Sequence, residues 1–200
     1  MKAHPTLAAA AAACALVLAL PSQAAIVTYA ATLTGLAENP PVVTPGTGSA
    51  TVIINDQTFT MRVIASFSGL IGNSTAAHIH CCTALPFAGN VGVATVTPTF
   101  TGFPPAVTSG SYDFTYDMTA AAGSWNSAFV NANGGTTASA FSALRTGLDS
   151  GRAYFNLHSS FVGSGEIRGL LQAVPEPGTL ALALAAAGLA AVSASKRRAA

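Results

Sequence analysis

The chain has 200 residues, half of them hydrophobic (50%) and only 8% charged, with a formal net charge of +1. So even a balance excludes a nucleic-acid binder working through a basic surface, and so apolar a chain excludes disorder, which needs low hydrophobicity and high charge. What remains is a globular domain, a membrane protein, or a globular domain with membrane-directed ends.

The N-terminus reads as a secretory signal peptide over residues 1–24. Lys2 supplies the positive start, and residues 7–20 are an uncharged run of Ala, Leu and Val around Cys14. Small residues follow, with the simplest cleavage after Ala24. The apolar run is too short to span a bilayer, which takes roughly 20 residues.

Between the two ends, residues 25–173 have the commonest size for one domain. Four arginines stand against six carboxylates there, a balance of four minus six, or −2, and lysine is absent. Polarity comes instead from 20 Thr and 14 Ser, interrupted by 17 Gly. Thr, Val, Phe and Tyr with frequent Gly and Pro breaks predict a β-rich fold.

Alternation marks the strands. Residues 58–68 place Phe59, Met61, Val63, Ala65 and Phe67 on one side, and residues 111–119 do the same with Tyr112, Phe114, Tyr116 and Met118. Both have the period of two of a half-buried strand. Further strands are expected at 27–35, 49–55, 76–81, 92–100, 152–158 and 165–173. Short strands with turn-rich loops predict an all-β fold, an antiparallel two-sheet sandwich of the immunoglobulin or superoxide-dismutase kind. Two short inserted helices are expected, at 124–131 with Ser124 as N-cap and at 137–149 with Phe141, Leu144 and Leu148 on one face.

Polar residues on these strands point away from the apolar rows. His78 and His80 share a side opposite Ala77, Ile79 and Cys81. Arg152, Tyr154, Asn156 and His158 share another, and Glu166 and Arg168 a third. If the strands are neighbours, His78, His80, His158, Glu166 and Arg168 converge. His-x-His on a strand plus a third histidine is a reasonable ligand set for Zn²⁺ or Cu²⁺, with Glu166 as a fourth ligand. The competing reading is a hydrogen-bonded polar cluster of Arg152, Glu166 and Arg168, with the histidines bracing loops and no cofactor. No nucleophile elbow, phosphate loop or paired glycosidase carboxylates stand out, so no catalytic residue is assigned. Tyr29, Tyr154 and Phe103 are candidates for polysaccharide contact or for the core.

Cys81 and Cys82 are the cysteines outside the signal. In an oxidising compartment two cysteines normally pair, which for neighbours means a vicinal disulfide. Free thiols, inter-chain bonds and metal thiolates are the alternatives. Continued alternation puts Cys81 in the core and Cys82 on the histidine side.

Two resemblances bear on function. Leu33-Thr34-Gly35-Leu36-Ala37-Glu38-Asn39-Pro40-Pro41, Ala77-His78-Ile79-His80, Tyr154-Phe155-Asn156-Leu157-His158 and Gly165-Glu166-Ile167-Arg168-Gly169 resemble, in order, the blocks of the CHRD domain, named from chordin. The resemblance implies a secreted single domain without an established enzymatic activity. The His-Ile-His strand is also similar to that of copper–zinc superoxide dismutases, but a dismutase needs more histidines and a bridging Asp.

At the C-terminus, Pro175-Glu176-Pro177 precedes an uncharged stretch and then Lys196-Arg197-Arg198. A helix over 178–195 is about 27 Å long at ~1.5 Å per residue, close to a hydrocarbon core of ~30 Å. The basic end stays cytoplasmic, leaving the rest of the chain outside. A plain tail anchor is one reading. The three elements in order, over residues 174–200, resemble the PEP-CTERM sorting signal. That resemblance implies an exosortase-type sorting protease as partner and transient residence in the inner membrane. The mature protein is then expected in the periplasm, at the cell surface or in the exopolysaccharide matrix, near exopolysaccharide or other surface proteins.

Overall fold

The computed structural model describes residues 26–175. The expected signal peptide and its cleavage after Ala24, the membrane helix over 178–195, and Glu176 and Pro177 of the sorting motif lie outside the described residues.

Eight strands and two helices follow in order: β1 (Ile26–Thr34), β2 (Thr47–Asn55), β3 (Thr60–Ser68), β4 (Ser74–Cys81), β5 (Gly110–Asp117), α1 (Ser127–Ala132), α2 (Thr137–Asp149), β6 (Ala153–Ser159), β7 (Ile167–Leu170) and β8 (Gln172–Ala173). A single 3-10 turn, Gly35–Ala37, follows β1. The fold is predominantly β with two short helices. However, the strands do not divide into the two separate sheets of the expected sandwich. They pair in one continuous path, β4-β6-β7-β1-β2-β3-β5, with β8 also beside β1. The link between the two arms is slight: β1 meets β7 at one register pair, Thr34 with Arg168, and β8 at Tyr29 and Ala30. The curled sheet buries the apolar rows of both arms in one core.

That core is what the alternation selects. Val52 and Ile54 of β2, Met61 and Val63 of β3, Ala77 and Ile79 of β4, and Phe155 and Leu157 of β6 are wholly buried. Each large aliphatic or aromatic side chain withdrawn from water this way contributes roughly 1.5–3 kcal/mol. Helix α2 presents Ala140, Phe141, Leu144 and Leu148 to the same core. Its start is fixed by a capping box between Thr136 and Ser139. Tyr29, Tyr154 and Phe103, considered above for polysaccharide contact, are buried.

Two expectations give way for identifiable reasons. Ser124 does not cap α1, because its hydroxyl donates to the Asp117 carbonyl at 2.7 Å; Asn126 is the cap. Residues 92–100 form no regular strand, although β-branched residues alternate there. Pro98 lacks the N–H that a ladder needs, and threonine hydroxyls replace the ladder along the outer edge of β4. The Ala77 N–H donates to Thr99 Oγ1 at 2.9 Å and the Ile79 N–H to Thr95 Oγ1 at 3.0 Å. In return, the Phe100 and Ala94 N–H groups donate to the carbonyls of Ala77 and Ile79, both at 2.9 Å.

Candidate metal centre

Strands β4 and β6 are antiparallel neighbours, and their register sets Ala76 against His158, His78 against Asn156 and His80 against Tyr154. With alternate residues on opposite faces, the three histidines land together on the side away from the core. One ring nitrogen from each of His78, His80 and His158 lies within 4.8 Å of the other two. The His78 ring stands edge-on to both others, with centroids 4.6 Å from His158 and 5.1 Å from His80.

Backbone carbonyls settle which nitrogens are free. His80 Nδ1 lies 2.7 Å from the Val91 carbonyl and His158 Nδ1 lies 2.8 Å from the Gly163 carbonyl. A carbonyl only accepts, so each Nδ1 carries the proton and each Nε2 keeps a bare lone pair. His80 Nε2, His158 Nε2 and His78 Nδ1 are all buried without a hydrogen-bond partner. Leaving one such group unsatisfied costs about 1–3 kcal/mol.

The rings are held neutral. Burial first, then repulsion from His158 and His80, pushes His78 down to about 3. Burial likewise takes His80 down to about 4, against the opposing Val91 hydrogen bond. His158 is lowered by burial despite its bond to Gly163. Neutral imidazole is the form that coordinates metals.

Comparison with protein families decides the relationship. The CHRD domain model matches residues 29–171. The chain belongs to the CHRD domain family. The PEP-CTERM protein-sorting motif matches residues 173–198, which implies an exosortase-type partner and is consistent with surface sorting. No curated protein matches the chain, and no solved structure does.

The remaining polar residues of this CHRD domain do not gather as one cluster. Glu166, expected as a fourth ligand, is wholly buried, but its carboxylate is already filled. Oε1 accepts from the Thr44 hydroxyl at 2.6 Å and the Ile71 N–H at 2.7 Å; Oε2 accepts from the Gly72 N–H at 3.3 Å and from the Ser159 hydroxyl. Four donors occupy its four lone-pair sites. Burial pushes Glu166 up, but these hydrogen bonds outweigh it and hold the carboxyl below its ordinary range. Arg152 turns instead to the carbonyls of Thr83 and Ala84, away from both Glu166 and Arg168.

Arg168 joins a different set. Its guanidinium lies 4.7 Å over the Tyr154 ring, donates to Ala37 O, Gly89 O and Asn90 Oδ1, and sits 3.9 Å from the Glu38 carboxylate. Tyr154 in turn stacks on His80. Burial pushes Glu38 up to about 7, against the pull of Arg168 and of a hydrogen bond from Asn156. Glu38 and Asn90 escape sequence reading as site residues because they reach this layer from loops. The one signal was that Glu38 is the sole carboxylate in its turn. The Val91 and Gly163 carbonyls leave no trace in side-chain identity.

Cys81 and Cys82 form a vicinal disulfide. Cys81 is in the core as the alternation predicts, but β4 ends there, and Cys82 packs on α2, with Sγ 3.6 Å from the Ala143 carbonyl, instead of beside the histidines.

Proposed function

We propose that this CHRD domain is an exported, non-enzymatic surface module that binds one Zn²⁺ or Cu²⁺ ion through His78, His80 and His158. The observation that carries the reading is the meeting of three neutral imidazoles, a ring nitrogen of each within 4.8 Å of the other two, on rings that each keep one buried nitrogen without a partner. Nitrogens held at ~2.0–2.1 Å by one tetrahedral ion sit roughly 3.3 Å apart, which the rings reach by small side-chain rotations. The carbonyls of Val91 and Gly163 orient two ligands in the way second-shell acceptors orient metal-bound histidines. With Glu166 filled, the fourth position falls to water or an outside ligand. In this reading residues 1–24 are removed on export, residues 174–200 form the sorting tail with its membrane helix at 178–195, and residues 25–173 work at the cell surface or in the matrix.

Elemental analysis of the purified protein, with a His78→Ala variant beside it, tests the assignment. One zinc or copper per chain, lost in the variant while the fold persists, supports it. A folded wild type that takes up neither ion from micromolar solution sinks it.

A further inference from the structure

A second site, unrelated to the histidines, lies where the turn between β2 and β3 meets α2. An open cavity of about 610 Å³ is lined there by Asp56, Phe59, Phe141, Arg145, Thr146 and Ser150, among others. Ligand pockets fall in a range of about 300–1,000 Å³.

Phe59 is the first anomaly. Its φ of 51° puts a bulky side chain in the left-handed region, a conformation costing about 1–2 kcal/mol that glycine would avoid. The ring rests on Phe141, with centroids 5.2 Å apart, and the residue is still 41% exposed. Strain retained around an exposed aromatic ring is a functional clue.

The polar wall asks for hydrogen-bond donors. Asp56 Oδ2 is paired with Arg145, but Asp56 Oδ1 is buried without a partner. Ser142, Thr146 and Ser150 donate their hydroxyl protons to the helix carbonyls of Ala138, Ser142 and Thr146 at 3.1, 2.8 and 2.7 Å. Their remaining lone pairs can only accept. Arg145 also pairs with Asp149 at 3.0 Å, so its guanidinium already fills the place a metal cation would take between the two carboxylates. The triad keeps one net negative charge, which disfavours an anionic ligand.

A ligand rich in O–H donors, uncharged, and carrying a C–H face to lie on an aromatic ring is a saccharide. We propose that this cavity binds a neutral saccharide, its ring seated on Phe59 and its hydroxyls donating to the exposed oxygens of Ser142, Thr146 and Ser150. The site is independent of metal at the histidines.

Calorimetric titration of the purified protein with cellotetraose, mannotetraose and maltotetraose tests this, with spermidine and tetragalacturonate as the charged comparisons. At least one neutral tetrasaccharide is expected to saturate the protein. Phe59→Gly, which relieves the backbone strain, is expected to keep or raise Tm and to weaken binding about tenfold. Thr146→Val, which keeps the shape and removes an acceptor, is expected to weaken it about threefold or more. The proposal is overturned if no neutral tetrasaccharide saturates, if Phe59→Gly binds like wild type, or if only spermidine or tetragalacturonate binds.

Discussion

The imidazole of His80 lies flat against the phenol ring of Tyr154, with centroids 4.7 Å apart and planes 7° from parallel. Both rings are also tied to Val91: His80 Nδ1 donates to its carbonyl, and the Tyr154 hydroxyl accepts from its N–H and donates to its carbonyl, each at 3.3 Å. One loop residue therefore sets both the tilt of the histidine and the nitrogen that carries its proton.

Tyr154→Phe keeps the stack and loses the hydroxyl, so it is expected to cost about 1 kcal/mol of stability and to leave metal uptake nearly unchanged. Tyr154→Leu loses both and is expected to weaken metal binding about 10–100-fold, the usual effect of removing an orienting partner. Zinc titration of the two variants separates the roles. Equal affinity for the Leu variant and wild type would show that the stack orients nothing.

Glu166 and Glu38 are expected to respond to pH in opposite senses. The Glu166 carboxyl is lowered in the fold, so its stabilisation is present above the unfolded carboxyl range and is lost as pH falls through the folded value. Glu166→Gln sets an amide N–H₂ among N–H and O–H donors. It is expected to destabilise by about 2–4 kcal/mol near pH 7, the gap to wild type narrowing in acid. Urea unfolding at pH 7 and pH 3.5 measures this, and a gap that does not narrow refutes it.

Glu38 is raised from 4.5 to about 7, so the fold favours its protonated form. Stability from this group is fully present below about pH 4.5 and falls away as pH rises towards 7. Glu38→Gln mimics the protonated acid. It is expected to match wild type near pH 4.5 and to be more stable by about 2 kcal/mol at pH 8. Parallel denaturant curves at those two pH values decide it; a Gln variant weaker than wild type at pH 8 reverses the sign.

At Gly147 two effects oppose each other. Alanine in a helix interior normally gains up to about 1 kcal/mol over glycine. Here a Cβ would run into the sulfurs of Cys81 and Cys82. Overpacking of that kind costs about 1–3 kcal/mol, so Gly147→Ala is expected to lower Tm. A rise in Tm would mean that the disulfide yields without cost.

What the sequence discloses here is local order, and what it hides is pairing. Period two locates β3 and β5, and strand geometry alone puts His78 and His80 of β4 on one side. The placement of His158 beside them depends on a register, Ala76 against His158, that no pattern within either strand encodes. The single sheet hangs on the Thr34–Arg168 pair and on β8 beside Tyr29 and Ala30, pairings equally invisible in composition. Glu166 and Arg168 share a side by alternation, but alternation gives a side and not a partner: Glu166 meets the Ile71–Gly72 backbone, and Arg168 meets a loop some 80 residues earlier. Thr95 and Thr99 mislead because β-branched residues suggest a strand, whereas here their hydroxyls serve the strand next to them.

That substitution matters beyond the single molecule. The last strand of an open sheet offers free N–H and C=O groups to any other chain in reach. At β4, Thr95 and Thr99 and the segment around them already occupy those groups, so the end that carries the histidines gives other copies nothing to add to. At the opposite end, β5 displays the exposed carboxylate of Asp117, a charge of the kind that guards such a border. A chain this poor in charge gains little colloidal protection from repulsion between copies. Two guarded borders let copies of it meet at high concentration without polymerising strand to strand.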